Sequence, residues 1–357
     1  MPQVQAELPQ VAEALAICVC QAGHCNEPTG KPEDGKEHGR WAIWGVDPSS
    51  VVCWWRAPAT VTIARAVSLP RISIVTPSFN QGSFLEATIR SVLDQDYPNL
   101  EYVIVDGGST DNSIQIIKKY AHKLTWWVSE RDGGQYEALN KGFAQTTGEI
   151  MAWLNSDDKY LPWTFATLAD ILTSLPEVEW LTSVLHLFWD EAGRAVSCEE
   201  HPGFSRDLIL SGGTLPGCGW PAWSFVQQES TFWRRSLWQK AGCHLDPRWS
   251  LAGDFELWLR FAAHAELFSV PTPLAGFRRH GNQKTSGNMD EYIRQAKEAF
   301  ALRGGSAPPP LKGWWLKSSG KLVRFLQRQH ARIARQQGSL NRCVFDTQDQ
   351  RWHLRRR

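Results

Sequence analysis

Arg71-Ile-Ser-Ile-Val-Thr-Pro77 opens the stretch of sequence that decides the fold. Short apolar runs predict four strands, at residues 72–75, 102–105, 124–128 and 149–154. Amphipathic runs and capping residues predict helices between and after these strands. They lie at residues 83–95, at residues 135–146, from the capping residues 109–112 to about residue 120, and from about residue 162. Strands and helices that alternate at this spacing indicate βαβ units. The predicted fold class is therefore α/β with a mainly parallel sheet.

Polar side chains follow each of the four predicted strands. They comprise residues 76–80, Asp106, residues 130–132 and residues 155–158. In an open parallel sheet, ligands bind in the crevice beyond the carboxyl ends of the strands. Neither G-x-G-x-x-G nor G-x-x-x-x-G-K-[ST] follows any of these strands, which disfavours dinucleotide-binding and P-loop proteins.

The composition is that of an ordinary soluble globular protein, with 357 residues, 42% hydrophobic and 21% charged. The longest uncharged stretch, residues 208–228, carries four glycines and two prolines, so it predicts a loop rather than a membrane span. No basic start precedes an apolar run at the N-terminus, and a cytoplasmic enzyme is expected. The 19 tryptophans could stack on sugars, but core packing is favoured for most of them.

Asp157 and Asp158 are the candidate metal ligands. Two adjacent carboxylates at the rigid end of a strand suit Mg²⁺ or Mn²⁺, which can bridge a diphosphate. The alternative is that they only cap the following helix. His280, in a predicted loop with Gln283, could add a third ligand, although a lone histidine is more often structural.

Three further aspartates are candidates for substrate contacts. Asp106 could accept the imide N–H of uracil, and Asp132 could bind ribose or phosphate, but both could equally be turn residues that bond their own backbone. Asp254 lies at the start of an amphipathic helix with Leu257 and Phe261 on its apolar face. It is either a helix cap or a general base.

The ordered motifs resemble those of the family 2 glycosyltransferases. They are Ile74-Val-Thr-Pro-Ser-Phe-Asn80, Ser91-Val-Leu-Asp-Gln-Asp-Tyr-Pro98, Val105-Asp-Gly-Gly-Ser-Thr-Asp111, Glu130-Arg-Asp-Gly-Gly-Gln-Tyr-Glu-Ala-Leu-Asn-Lys-Gly142 and Gly148-Glu-Ile-Met-Ala-Trp-Leu-Asn-Ser-Asp-Asp158. The resemblance covers residues 71 to about 285.

This resemblance implies a GT-A fold and inverting transfer from a nucleoside-diphosphate sugar, with a UDP-sugar favoured. It implies donor-binding roles for Thr76, Pro77, Asn80, Asp106, Asp132, Asn155, Ser156 and Asp157. Asp254 would be the catalytic base. Asp157 would hold Mg²⁺ or Mn²⁺, with Asp158 and His280 as further ligands.

The sequence departs from the family pattern at two positions. Asn155 stands where the family often has aspartate, and Gly253 replaces the glutamate of a common Glu-Asp pair. No Gln-x-x-Arg-Trp motif of processive synthases is expected in the chain, which favours transfer of a single sugar. The expected acceptor is a glycan or a lipid-linked molecule in surface glycan assembly.

Three regions are expected along the chain: an extension at 1–70, a catalytic domain at 71–290 and a basic, partly helical tail at 291–357. Residues 312–357 contain twelve Lys or Arg and two Asp, and Arg324, Arg328 and Arg335 follow helical steps. A basic amphipathic helix predicts peripheral association with an anionic membrane at its inner face. Nucleic acid is not an expected partner.

Two other functions remain open from the sequence. A nucleotidyltransferase would also combine an α/β nucleotide site with a divalent cation, but it usually carries a basic Gly-rich loop after the first strand. A non-catalytic nucleotide-sugar-binding protein is the second, and the joint presence of Asp106, Asp132, Asp157 and Asp254 argues against it.

Overall fold

The computed structural model describes residues 69–201, 203–215, 225–281, 283–284, 287–306 and 341–355. Their strands are β1 Ile72–Ser78, β2 Leu100–Asp106, β3 Trp126–Ser129, β4 Ile150–Trp153, β5 Lys159–Tyr160, β6 Trp180–Ser183, β7 Leu185–Trp189, β8 Ala195–Glu200, β9 Thr231–Arg234, β10 Phe268–Val270, β11 Ala275–Arg278, β12 Arg342–Asp346 and β13 Arg351–Arg355. Their α-helices are α1 Leu85–Leu93, α2 Ser113–Tyr120, α3 Gln135–Phe143, α4 Thr164–Ser174, α5 Arg206–Leu210, α6 Arg235–Lys240, α7 Gly253–Ala262 and α8 Met289–Leu302.

Two sheets organise the described residues. The larger has nine strands in the order β13-β12-β10-β6-β9-β4-β1-β2-β3, and the smaller has four in the order β5-β11-β7-β8. In the larger sheet β1 pairs in parallel with both β2 and β4, and β3 adds in parallel to β2. Strand β9 runs antiparallel to β4 and β6. The prediction of an α/β fold with a mainly parallel sheet is confirmed.

An aromatic cluster forms the centre of the core beneath β4, β6 and β9. Trp153 and Trp258 stack with ring centroids 5.9 Å apart, and Trp233 meets Trp153 edge-on at 5.5 Å. Trp180 lies against Trp258 at 5.5 Å. All four rings are buried. Core packing is therefore confirmed for these four tryptophans, whereas Trp220 and Trp223 lie outside the described residues.

The expected boundary at residue 290 does not match an edge of the structure. Helix α8 crosses it and buries Tyr292, Ala296 and Phe300. Strands β12 and β13, expected to belong to a basic tail, instead extend the nine-stranded sheet, because β12 pairs in parallel with β10. The extension up to residue 68 and the predicted basic helix lie outside the described residues.

The expectation that the chain contains no Gln-x-x-Arg-Trp pattern is wrong, because the β12–β13 hairpin contains it as Gln348-Asp-Gln-Arg-Trp352. Gln350 takes a positive φ of 58° in the turn, and Nε1 of Trp352 donates to Asp170 on α4 at 2.7 Å. The motif therefore forms a turn and a strand at the outer edge of the sheet, away from the strand ends that carry the polar clusters. No described helix combines the length and the apolar character needed to cross a membrane.

Candidate active site

The polar clusters meet at the carboxyl ends of β4, β1 and β2. The parallel register places Ser78 beside Asp106 where β1 and β2 end. Because β9 runs antiparallel to β4, its start lies at the same edge of the sheet. The short 3-10 helix Gln228–Ser230 directly precedes β9 and therefore borders the site.

The turn after β4 is fixed by backbone hydrogen bonds. The amide of Asp158 donates to the carbonyl of Asn155 at 3.1 Å. The buried hydroxyl of Thr88 on α1 contacts the carbonyl oxygens of Ser156 and Asp158, at 2.9 and 2.7 Å. The side chain of Ser156 is buried. Ser156 therefore shapes the turn through its backbone.

Asp157 and His280 come together although they are 123 residues apart in sequence. Oδ2 of Asp157 lies 3.0 Å from Nε2 of His280. The guanidinium Nε of Arg278 donates to the carbonyl of Asp157 at 2.6 Å, and the ring of Phe84 packs on the His280 ring at 4.5 Å. A carboxylate oxygen suits Mg²⁺ and Mn²⁺, and an imidazole nitrogen suits transition metals. The pair fits a divalent cation, and Mn²⁺ better than Mg²⁺.

Asp158 is oriented differently from the expectation that it would be a metal ligand. Its carboxylate points inward, where Oδ1 accepts from the backbone amide of Arg278 at 2.9 Å. Burial raises the pKa of this carboxyl well above its usual range, and the nearby charges of Asp157 and Glu229 raise it further. Asp158 therefore lies behind the Asp157–His280 pair and supports the strand that carries Arg278.

Asn155 links three elements of the site. Its side-chain oxygen accepts from Gln135 on α3 at 2.7 Å, and its amide nitrogen donates to Oε1 of Gln228 at 3.1 Å. The Nε2 of Gln228 is engaged with the carbonyl of Trp153 at 2.6 Å. An aspartate at position 155 would place a carboxylate oxygen against Oε1 of Gln228, where neither oxygen can donate a hydrogen bond. This contact gives a physical reason for the departure from the family pattern.

Asp106 is fully buried at the end of β2, and local groups satisfy its carboxylate. Oδ2 accepts from the amide of Ser109 at 2.9 Å and from the hydroxyl of Ser129 at 2.7 Å, and Oδ1 accepts from the hydroxyl of Ser109 at 2.5 Å. These bonds match the alternative of a turn aspartate. The contact of Asp106 with a nucleobase stays a prediction.

The residues at the end of β1 divide into buried and exposed ones. Thr76 and Pro77 are buried, and the Thr76 hydroxyl bonds to the hydroxyl of Tyr102 at 3.1 Å. Asn80 is exposed and takes a positive φ of 51°. Its Oδ1 accepts from the amide of Thr110 at 2.8 Å. Asn80 is thus the member of this group that is open to a ligand.

Asp132 lies against the start of α3. Its Oδ1 accepts from the amide of Gly134 at 2.8 Å, and a Cβ on Gly107 would come within 3.2 Å of its carboxylate oxygens. Partial burial raises the pKa of Asp132, and the charge of Asp106 contributes in the same direction. The two aspartates therefore border the same end of the site.

Asp254 lies in the first turn of α7, where the cap position belongs to Ala252. Its Oδ1 accepts from the amide of Phe255 at 2.7 Å and from the hydroxyl of Tyr292 at 3.1 Å. Burial raises the pKa of Asp254 to about 6, against the lowering effect of these two hydrogen bonds. A carboxylate with this pKa is ionised at neutral pH and is a stronger base than an ordinary aspartate.

Tyr136 and Tyr292, which the sequence analysis did not single out, hold Asp254 in place. The hydroxyl of Tyr136 donates to the carbonyl of Leu251 at 2.9 Å and accepts from the amide of Gly253 at 3.1 Å. The Tyr136 ring fills the space beside Gly253, where an added Cβ would lie 2.7 Å from ring carbons. A glutamate at position 253 has no room here.

Glu229 is a third residue that sequence reasoning missed. It lies in the 3-10 helix before β9 and is 3% exposed. Its only signal in the sequence is its place within Gln227-Gln-Glu-Ser-Thr231, at the end of the predicted loop at residues 208–228. No periodic pattern marks it.

The chain is similar in sequence to known proteins. Residues 73–187 match the family described as Glycosyl transferase family 2. An uncharacterized glycosyltransferase of Rickettsia typhi is 35% identical over 264 residues, which cover 72% of this chain and 78% of the relative. The chain belongs to glycosyltransferase family 2.

Other relatives of this family 2 glycosyltransferase include an uncharacterized glycosyltransferase of Mycobacterium tuberculosis H37Rv, 29% identical over 219 residues (60% of this chain, 77% of the relative). A putative teichuronic acid biosynthesis glycosyltransferase, TuaG of Bacillus subtilis, is 37% identical over 94 residues (26% of this chain, 37% of the relative). The fold is GT-A, as the resemblance implied, and the protein is a glycosyltransferase rather than a nucleotidyltransferase.

Solved structures also align with this family 2 glycosyltransferase. Staphylococcus aureus TarS 1–349 in complex with UDP-GlcNAc has a TM-score of 0.48 and 19% identity, over 64% of this chain and 65% of that one. The mannosyltransferase PcManGT of Pyrobaculum calidifontis, in complex with GDP-Man and Mn²⁺, has a TM-score of 0.47 and 20% identity, over 75% and 81%.

Proposed function

We propose that this glycosyltransferase transfers a single sugar, with inversion, from a nucleoside-diphosphate sugar to a hydroxyl group of a glycan or lipid-linked acceptor. A UDP-sugar is the favoured donor, and surface glycan assembly is the favoured setting. One observation carries the proposal. Two neighbouring residues at the start of α3 join the candidate metal ligand and the candidate base: Gln135 bonds Asn155 in the turn that carries Asp157, and the hydroxyl of Tyr136 bonds the amide of Gly253 beside Asp254.

The chemistry is a direct displacement at the anomeric carbon. Asp254 takes the proton of the acceptor hydroxyl as the oxygen of that hydroxyl forms the new bond to the anomeric carbon. The bond to the diphosphate oxygen breaks on the opposite face, so the configuration inverts. Tyr292 and the amide of Phe255 hold the Asp254 carboxylate in position for this transfer.

The leaving nucleoside diphosphate gains negative charge as its bond breaks. A divalent cation, Mg²⁺ or Mn²⁺, supplies positive charge to the diphosphate when it is bound, and Asp157 and His280 are the residues that would hold it. Asp132 and Asn80 border the nucleoside end. The proposal of surface glycan assembly rests on the similarity to the putative teichuronic acid biosynthesis glycosyltransferase of Bacillus subtilis.

Metal dependence gives the sharpest test of this proposal. The protein is screened against UDP-glucose, UDP-galactose, UDP-N-acetylglucosamine and GDP-mannose with Mn²⁺, first by thermal shift and then by release of nucleoside diphosphate. Asp157→Ala is expected to abolish turnover and the Mn²⁺-dependent stabilisation by nucleoside diphosphate. Asp94→Ala removes an exposed carboxylate at the end of α1, paired only with Arg90 among the described ion pairs, and serves as the matched control. Full activity in excess EDTA would contradict the metal site.

A further inference from the structure

Glu229 occupies a rigid position at the floor of the site. The neighbouring Gln228 donates to the carbonyl of Trp153 at 2.6 Å, and the hydroxyl of Thr231 donates to the carbonyl of Gln227 at 2.6 Å. These bonds fix the 3-10 helix between the end of β4 and the start of β9. The backbone position of Glu229 is therefore set by the fold before any substrate binds.

The carboxyl of Glu229 is buried without a full set of partners. Its Oε1 is shielded from solvent and has no hydrogen-bond partner in the part of the chain that the structure describes. Among those residues, no lysine, arginine or histidine forms an ion pair with it. Buried polar atoms in folded proteins almost always have a partner, so an unpaired carboxyl oxygen beside the strand ends that carry the polar clusters points to a group that a substrate brings.

The electrostatic surroundings favour a neutral acid at this position. Burial raises the pKa of Glu229 to about 8, opposed by a hydrogen bond from its own backbone amide and increased by the charges of Asp157 and Asp254. A protonated carboxylic acid can donate one hydrogen bond and accept others. A sugar hydroxyl also donates one hydrogen bond and accepts others, so the two groups can bond to each other.

We propose that Glu229 hydrogen-bonds a hydroxyl group of the transferred sugar and thereby selects which donor sugar the enzyme accepts. The inference rests on the proposed function. Asp157 marks the diphosphate end of the cleft, and Asp254 marks the attacking acceptor hydroxyl. The transferred sugar joins these two groups in the reaction, and Glu229 follows Gln228, which is bonded to Asn155 in the turn that carries Asp157.

A buried hydrogen-bonding group discriminates strongly because a sugar without the matching hydroxyl leaves it unpaired. Sites built to bond a substrate hydroxyl reject the analogue that lacks it by about 10⁴-fold or more. The hydroxyl that Glu229 contacts should therefore be one that the enzyme requires.

The experiment compares binding of a nucleotide sugar with binding of its own nucleoside diphosphate, both in the presence of Mn²⁺. The donor is the one among the four screened above that stabilises the wild-type protein most. Glu229→Ala is expected to weaken binding of the nucleotide sugar at least about fivefold and to leave binding of the nucleoside diphosphate within about twofold. Glu229→Gln, which keeps the shape and can still donate and accept, should retain most of the affinity.

Two controls separate contact from structure. Thr231→Val removes the hydrogen bond to the carbonyl of Gln227 at the end of the same 3-10 helix, and its ratio of the two affinities should equal that of the wild type. A deoxy donor that lacks the contacted hydroxyl should bind the wild type as weakly as the complete donor binds Glu229→Ala. In Glu229→Ala, removing the same hydroxyl from the donor should not weaken binding any further.

Three results would overturn the assignment. The first is an equal loss of affinity for both ligands, which indicates a structural role. The second is no loss of affinity for either ligand. The third is an effect on the KM of the acceptor alone. Failure of the proposed function looks different, because the wild-type protein would then bind none of the nucleotide sugars.

Discussion

Asp254 is the residue on which the proposed chemistry depends most. Replacing it by asparagine keeps the shape and the hydrogen bond from the Phe255 amide but removes the base. Turnover of Asp254→Asn is expected to fall about 10²–10⁴-fold, measured as release of nucleoside diphosphate in the presence of acceptor. Near-normal turnover would leave Asp254 as an ordinary first-turn carboxylate of α7.

The same variant should be more stable than the wild type at alkaline pH. The folded-state pKa of Asp254, about 6, lies above the usual 3.8, so the folded protein holds this proton more tightly than the unfolded chain. The stability due to the protonated carboxyl is complete below pH 3.8 and is lost as pH rises through 6. At pH 8 Asp254→Asn should therefore gain up to about 3 kcal/mol in urea unfolding, and at pH 4 almost nothing. An equal effect at both pH values would contradict this assignment.

The activity of the wild-type enzyme should increase as Asp254 loses its proton, whereas the stability decreases. A base must be deprotonated to accept a proton, so kcat/KM is expected to rise about tenfold per pH unit below pH 6 and to level off above it. The residual activity of Asp254→Asn should lack this step. A wild-type profile that is flat from pH 5 to 8 would assign the proton to another group.

Among the elements, the start of α7 is tightly constrained. The ring of Tyr136 on α3 leaves no room for a side chain at position 253. Gly253→Ala is expected to cost about 1–3 kcal/mol in denaturant unfolding and to lower turnover by displacing Asp254. Gly281→Ala, whose Cβ would meet nothing within 4 Å, is the stability control. Equal stabilities of the two variants would show that α7 shifts freely.

The sequence predicted the elements that carry their own signals. Apolar runs ending in polar residues located β1, β2 and β4, and a 3.6-residue period located α7. The position of Asp157 directly after a strand was predicted, and its role at the site stays a prediction. The inward direction of Asp158 was missed, because it depends on the Arg278 amide, 120 residues later. Likewise, the tyrosine that contacts Asp254 belongs to α8, which no motif marks.

At the scale of the whole molecule, the predicted basic helix is tested best without deleting chain. Lys321, Arg324, Arg328, Arg332 and Arg335 are replaced together by glutamine, which leaves the β12–β13 hairpin intact. Each basic residue near an anionic surface contributes about 1 kcal/mol, so co-sedimentation with phosphatidylserine vesicles at low salt should be largely lost. Equal binding of the two proteins, or binding of the wild type that does not weaken with salt, would remove the membrane role of this segment.

The hairpin formed by β12 and β13 also governs how the protein can be handled in the laboratory. Strand β10 is buried along its whole length and pairs with β12 on one side. Removing everything after residue 310 would uncover a row of unpaired backbone groups next to apolar side chains, which is a template for aggregation. In the complete sheet the outermost position falls to β13, whose exposed Arg351 and Arg355 discourage such pairing. A shortened protein would therefore be expected to precipitate even though every residue of the proposed active site is retained.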